Sequence, residues 1–150
     1  MTELQIRRAG PADYPRVIQV LDEWWGGRRM RDMLPKLFFV HFADTSFVAE
    51  RDGELAGFLV GFLSQSEPDE AYVHFVGVSP DERGTGLGRE LYERFFAVAR
   101  DQGRRRVTCV TSPANAGSLA FHEAIGFEPG PPQADYDGPG EDRVVLTRGL

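Results

Sequence analysis

Between Glu70 and Arg100 an apolar segment, Ala71 to Val78, runs into a glycine-rich turn, Arg83-Gly84-Thr85-Gly86-Leu87-Gly88, which opens directly into a helical pattern. A strand, a loop almost without side chains and a helix N-terminus together expose several backbone N–H groups toward one anion. The first-turn donors of a helix have no intrahelical acceptor and lie at the positive end of its dipole. Glycine at 84, 86 and 88 removes Cβ atoms that would hold a ligand off the backbone, and it permits positive φ where the chain turns sharply. Arg83 adds a positive charge at the rim. The turn is therefore a candidate phosphate cradle, although an ordinary strand-to-helix connection uses the same residues. Two known phosphate loops are excluded by spacing. No Gly-Lys-Ser/Thr is present, which removes the Walker A loop, and the glycines follow G-x-G-x-G rather than G-x-G-x-x-G. A dinucleotide fingerprint also belongs in a first βαβ unit, whereas these glycines lie past the middle of the chain.

The length of 150 residues suits a single domain with one sizeable core. The net charge of -6, from 17 basic and 23 acidic residues, argues against a nucleic-acid partner held by phosphate neutralisation and favours cationic or neutral acceptors. The lone Cys109 cannot form an internal disulfide, and no CxxC spacing suggests a metal or redox site, so a reducing, cytoplasmic setting is expected. The N-terminal residues carry no apolar signal segment, and no run approaches the roughly 18 residues of a membrane span, so no membrane partner is expected.

Alternation over Leu4 to Arg8 predicts a first strand, closed by Gly10-Pro11. Asp13 is placed to cap a helix bearing Val17, Val20, Leu21 and Trp24 on one face, which Gly26-Gly27 stops. A second helix is expected from Arg29 to about His41, its limits blurred by Pro35. Ser46 to Glu50 and Leu55 to Leu63 read as a hairpin around Asp52-Gly53. After the strand from Ala71 to Val78 come an amphipathic helix from Gly88 to Gln102, a strand from Arg106 to Thr111, and a short helix from Asn115 to Ile125 closed by Gly126. A short strand near Phe127, a Gly/Pro-rich loop from Pro129 to Gly140 and a last strand from Arg143 to Thr147 complete the chain. The order predicts an α/β fold, a twisted mixed sheet of about seven strands with about four helices on its two faces.

That order, with the glycine turn after the fourth strand, resembles the GNAT superfamily of acyl-CoA-dependent N-acyltransferases over nearly the whole chain. Two motifs carry the resemblance. Arg83-Gly84-Thr85-Gly86-Leu87-Gly88, preceded by Val78-Ser79-Pro80, is similar to the family's pyrophosphate loop. Asn115 to Phe127, with Ser118, Phe121, His122 and Gly126-Phe127, is similar to the family's N-x-x-S/A-x-x-L/F-Y-x-x-x-G-F. The resemblance implies acetyl-CoA as acyl donor, no metal, and an amine of a small molecule or peptide as acceptor; a homodimer is compatible with it. It further implies that the fourth and fifth strands splay, that Val76, Gly77 and Val78 bind the pantetheine arm, with a bulge near Gly77, that residues 83–88 seat the pyrophosphate, and that Asn115, Ser118 and Phe121 contact the arm from the other side. Asn115 suits a helix N-cap equally well.

Direct attack of an amine on a thioester needs a neutral nucleophile, a donor for the oxyanion and a proton for the departing thiolate. Where the family carries a tyrosine as proton donor, this chain has His122. Imidazolium donates protons near neutrality, so His122 is either the general acid or a packing residue. His74 shares a strand face with Tyr72 and Val76 and is the candidate base, its alternative being a half-buried histidine hydrogen-bonded to a neighbouring strand; Glu70 is the weaker candidate. His41 reads as packing, and Cys109 as a small core residue. Two segments are expected to recognise the acceptor. One is Asp22 to Arg29, with Trp25 as a pocket wall, and the other Gln133 to Asp142, with Tyr136; aromatics beside carboxylates suit an amine, and a core tryptophan with a merely solvated acidic loop is the other reading. A non-catalytic acyl-CoA-binding regulatory module fits the missing tyrosine. A nucleotide-dependent oxidoreductase fits neither the glycine spacing nor the strand order.

Overall fold

The computed structural model describes residues 3–150 and places seven strands and four α-helices in the expected order. The strands are β1 (Leu4–Arg8), β2 (Phe47–Arg51), β3 (Glu54–Leu63), β4 (Glu70–Val78), β5 (Arg106–Thr111), β6 (Glu128–Pro129) and β7 (Val144–Gly149). The helices are α1 (Tyr14–Trp24), α2 (Leu37–His41), α3 (Leu87–Asp101) and α4 (Ala116–Ala124). Hydrogen bonding links the strands into one mixed sheet in the order β1-β2-β3-β4-β5-β7-β6. The β4–β5 ladder is parallel and β5–β7 antiparallel. The chain forms two compact units, one running to Phe62 and including Val73–Val98, the other comprising Leu63–Tyr72 and Ala99–Leu150.

In the first unit, Val17, Leu21 and Trp24 of α1 lie in a core with Leu34, Phe39, Val48, Phe58 and Val60. Helix α1 ends where the sequence requires, since Gly26 and Gly27 both take positive φ (68° and 87°) at little steric cost. Asp13 does not cap α1 with its side chain. Its buried carboxylate instead accepts from the Gly10 N–H (2.9 Å) and from Arg7 (3.0 and 2.7 Å) and Arg16 (3.1 Å). Burial alone would raise the pKa of Asp13, but hydrogen bonds from Arg7, the Gly10 N–H and Arg16 outweigh it and hold the group below the usual carboxylate range. The helix expected from Arg29 to His41 is broken. A 3-10 turn covers Arg31–Met33, and α2 spans only Leu37–His41, because Pro35 bars helical geometry at the preceding residue. His41, expected to pack, is exposed.

In the second unit the parallel ladder pairs Glu70 with Arg106, Ala71 with Val107 and Tyr72 with Thr108. The antiparallel ladder continues along all of β5, from Arg106–Gly149 to Thr111–Val144. Val107, Cys109, Ile125, Phe127, Val144 and Leu146 are buried, so Cys109 is the core residue the alternation suggests. Arg104 donates to the carbonyls of Ser64, Glu67 and Glu70 and pins the loop that leads into β4.

Candidate active site

Helix α3 begins at Leu87, one residue earlier than its apolar pattern suggests, with Gly86 as its N-cap: the Gly86 carbonyl accepts the Glu90 N–H at 3.0 Å. A glycine cap supplies no side-chain acceptor, so the N–H groups of Leu87 and Gly88 have no acceptor within the helix. Gly84 and Gly86 have φ of 79° and 88°. A Cβ built on either meets nothing within 4 Å, so backbone conformation rather than crowding requires glycine there, and the loop surface is open to a ligand.

The loop is braced from several directions. The Thr85 N–H and hydroxyl both donate to the Glu82 carbonyl, at 3.3 and 2.6 Å. The Glu82 carboxylate accepts a two-pronged contact from Arg51 (2.8 and 3.0 Å), which holds it below the usual carboxylate range. Arg83 donates to the Trp24 carbonyl at 2.6 Å, at the C-terminal end of α1, where a cation opposes the helix dipole. Arg83 is thus a strut between the loop and α1 as well as a rim charge. Beneath the loop, Leu87 and Leu91 press on Gly57 of β3. A Cβ at Gly57 falls 3.2 and 3.3 Å from their side chains and 3.0 Å from the Gly77 carbonyl, so this glycine lets α3 approach the sheet.

Along β4 the side chains alternate without interruption: Val73, Phe75 and Gly77 are buried, and Tyr72, His74, Val76 and Val78 are half-buried. Gly77 is set by close approach. An added Cβ lies 2.5 Å from Cε1 of Phe58 and 2.8 Å from Cη2 of Trp25. Trp24 is buried against Phe58, while half-buried Trp25 meets Phe75 edge-on at 4.9 Å between centroids. The His74 ring stacks on Phe38 (4.5 Å, 6° between planes), and its Nε2 lies 2.6 Å from the Met33 carbonyl oxygen. A carbonyl only accepts, so Nε2 carries the hydrogen, and the tautomer this selects has its lone pair on Nδ1.

In the second unit the Asn115 side-chain oxygen accepts the Ser118 N–H at 3.1 Å, making Asn115 the N-cap of α4. One turn on, Nδ1 of buried His122 donates to the Ser118 carbonyl at 2.7 Å, with the rings of Phe121 and Phe127 edge-on at 5.2 and 5.3 Å. Burial disfavours the imidazolium and lowers the His122 pKa, the Ser118 hydrogen bond opposing it only in part. Resting His122 is neutral, its lone pair on Nε2. Glu70, the weaker base candidate, has both oxygens engaged by β5, accepting from Arg106 Nε (2.9 Å) and the Thr108 hydroxyl (3.1 Å). Burial pushes the Tyr72 phenol pKa well up, with Cys109, Tyr136 and Asp137 adding to the shift. Tyr136 is exposed on a braced loop, where Asp135 and Asp142 accept backbone N–H groups and Arg143 bonds Asp137 (2.9 Å) and Glu141 (3.0 Å). Among the described residues, no group of three or more His, Cys, Asp or Glu is arranged to hold a metal ion, and no helix is long and apolar enough to cross a membrane.

The model of the acetyltransferase (GNAT) family matches residues 13–127. The chain belongs to this family. It is 37% identical over 84 residues to an L-2,4-diaminobutyric acid acetyltransferase of Nocardia farcinica, a match covering 56% of this chain and 44% of that enzyme. It is 28% identical over 126 residues to the 5-NmdU N-acetyltransferase of Pseudomonas phage PaMx11, covering 81% and 85% of the two chains. The fold matches that of a diaminobutyrate acetyltransferase from Paenibacillus lautus, solved with L-2,4-diaminobutyric acid and coenzyme A, with a TM-score of 0.75, 24% identity and coverage of 99% and 96%. This chain thus spans less than half of the Nocardia relative but nearly all of the phage and Paenibacillus proteins.

The glycine turn and the α4 motif are legible in the sequence, but the hydrogen-bonding and packing roles of Arg51, Gly57, Asp22 and Met33 are not. Arg51 and Gly57 act across long sequence separations, Met33 through its carbonyl, and Asp22 on backbone N–H groups eight and nine residues on. Only Asp22 left a trace, as a carboxylate one turn before a Gly-Gly helix stop.

Proposed function

We propose that this chain is an N-acetyltransferase, a single catalytic domain that moves the acetyl group of acetyl-CoA to a primary amine of a small molecule. The observation that carries the reading is the glycine-capped start of α3: Gly86 has no side chain to accept the first-turn N–H groups, its surroundings are open, and Arg51, Glu82 and Arg83 hold the loop in shape. A pyrophosphate supplies the acceptors that the N–H groups of Leu87 and Gly88 require. In this reading residues 83–88 hold the pyrophosphate, Val76 to Val78 meet the pantetheine amides and provide an oxyanion donor, and Asn115, Ser118 and Phe121 contact the arm from α4.

His74 takes a proton from the incoming ammonium at Nδ1. The neutral amine attacks the thioester carbonyl, the C–N bond forms, the C–S bond breaks, and the thiolate takes up a proton from solvent. His122 keeps the packing place of the family tyrosine, because burial holds it neutral and its N–H is directed to the Ser118 carbonyl. Trp25, Tyr72 and Tyr136 are the proposed acceptor contacts, and the acidic loop around Tyr136 suits a cationic amine. The Nocardia relative makes L-2,4-diaminobutyric acid the first acceptor to try.

The test incubates the purified chain with acetyl-CoA and a panel of amines headed by L-2,4-diaminobutyric acid, following free thiol and the acetylated product by mass spectrometry. Acetylated amine supports the reading. Acetyl-CoA binding without transfer to any amine favours a non-catalytic acyl-CoA-binding module, for which the absent tyrosine at 122 is the motive. Absence of acyl-CoA binding overturns both.

A further inference from the structure

The turn between α1 and α2 does more than join two helices. Asp22, in the last turn of α1, holds it at both of its oxygen-bearing groups. The Asp22 backbone carbonyl accepts the Gly27 N–H at 2.8 Å. One carboxylate oxygen accepts the N–H groups of Met30 and Arg31 at 2.7 and 3.1 Å. The chain then makes the 3-10 turn at Arg31–Met33, closed by Met33 N–H to the Met30 carbonyl (3.0 Å) and Leu34 N–H to the Arg31 carbonyl (3.3 Å). The far side is fixed as well, since the Leu34 side chain is fully buried and its carbonyl accepts the Tyr14 hydroxyl at 2.9 Å. Met33 therefore sits between two clamped residues while its own side chain is exposed. What it contributes inward is a carbonyl oxygen 2.6 Å from Nε2 of His74.

We infer that Asp22 is a positioning residue for His74: by fixing the turn that presents the Met33 carbonyl, it selects the Nε2–H tautomer and leaves Nδ1 to accept the proton of the acceptor ammonium. This rests on the reading of His74 as the base. A histidine bound to a carbonyl through one nitrogen works as a base only through the other, and the partner that fixes the tautomer fixes the ring orientation too. The stack on Phe38 holds the ring plane but cannot choose between the nitrogens, which are alike in shape. That choice falls to Met33, and through Met33 to Asp22. The step balances: the ammonium loses one proton to Nδ1, the ring becomes imidazolium with hydrogen on both nitrogens, and solvent takes the proton after the product leaves.

The experiment uses the whole chain labelled with 15N-histidine, and its first readout needs no acceptor. Long-range 1H–15N spectra report which ring nitrogen of His74 is protonated in the wild type, Asp22→Ala and Asp22→Asn, the last keeping a side-chain oxygen. The expected wild-type signature is Nε2–H, lost or mixed in Asp22→Ala and restored in Asp22→Asn. Transfer to the amine turned over fastest in the panel should fall in kcat by on the order of 10- to 100-fold in Asp22→Ala, as for a misplaced reacting group, with KM for acetyl-CoA unchanged and Asp22→Asn close to wild type. Tyr14→Phe, which releases the other clamp, should weaken the same signature and stands in if Asp22→Ala does not fold. An unchanged tautomer in these variants overturns the inference. His74→Gln separates the two readings: if it leaves kcat unchanged, the base assignment fails whatever Asp22 does, whereas a loss of about 10²- to 10⁴-fold with an Asp22-independent tautomer leaves the base standing and removes Asp22 from its support.

Discussion

Gly77 should be intolerant of a single added methyl group, and the reason is steric. Its ideal Cβ falls 2.5 Å from Cε1 and 2.9 Å from Cζ of Phe58 and 2.8 Å from Cη2 of Trp25. Carbon atoms in contact prefer about 3.5–4.0 Å, so Gly77→Ala requires a ring to retreat by about 1 Å. Phe58 has no room to do so: it is fully buried, with Trp24 at 6.2 Å and Phe75 at 5.9 Å between ring centroids. Overpacking of this kind costs about 1–3 kcal/mol, and two rings meeting one Cβ put Gly77→Ala in the upper half of that range. At this chain length the loss corresponds to a fall in Tm of about 4–12 °C. Urea unfolding midpoints of wild type, Gly77→Ala, Phe58→Leu and the double variant test it. The smaller side chain of Phe58→Leu leaves space for the methyl group, so the double variant should be more stable than the sum of the singles by at least about 1 kcal/mol. Strictly additive effects, or a Gly77→Ala within about 0.5 kcal/mol of wild type, would refute the steric account and return the glycine to a role in strand distortion.

Gly86 behaves differently, because its Cβ position is open but its φ is 88°. A valine side chain there would block a ligand, yet a β-branched residue in that region is strained on its own account. Gly86→Asn, which tolerates positive φ, should therefore lower acetyl-CoA affinity at least about tenfold with a smaller loss of Tm than Gly86→Val; isothermal titration beside thermal unfolding separates the two effects. Acid should destabilise the protein in two stages. The depressed pKa of His122 means that stability held above its unfolded value near 6.5 is lost as the pH falls from there through the folded value, and the depressed carboxylates Asp13, Glu50 and Glu82 act the same way at lower pH. His122→Phe should remove the first stage from a plot of urea midpoint against pH and leave the second.

Local rules carried most of the architecture. Strands β1 and β5 fall where alternation put them, and α1 stops at its glycine pair because positive φ is needed at a helix end. Reading failed where a tertiary partner overrode a local preference. Asp13 looked like a cap and became the acceptor of two arginines from β1 and α1. Residues 29–41 had enough apolar spacing for one helix, but Pro35 divided them and Asp22 held the divided segment. In the site, glycine spacing revealed the loop since its chemistry is local. The hydrogen bonds of His74 and His122 were invisible because each ends on a backbone carbonyl, which any residue supplies.

The glycine that caps α3 also makes the protein its own occupancy gauge. A helix whose first amides have no acceptor within it exchanges those hydrogens with solvent more readily than its interior, where every amide is bonded. An anion seated on the loop closes that difference, so deuterium uptake at Leu87 and Gly88, compared with Phe95 and Phe96 in the same helix, reads acyl-CoA binding residue by residue. The measurement needs neither an acceptor nor turnover, and it therefore applies equally to catalytically silent variants of the chain.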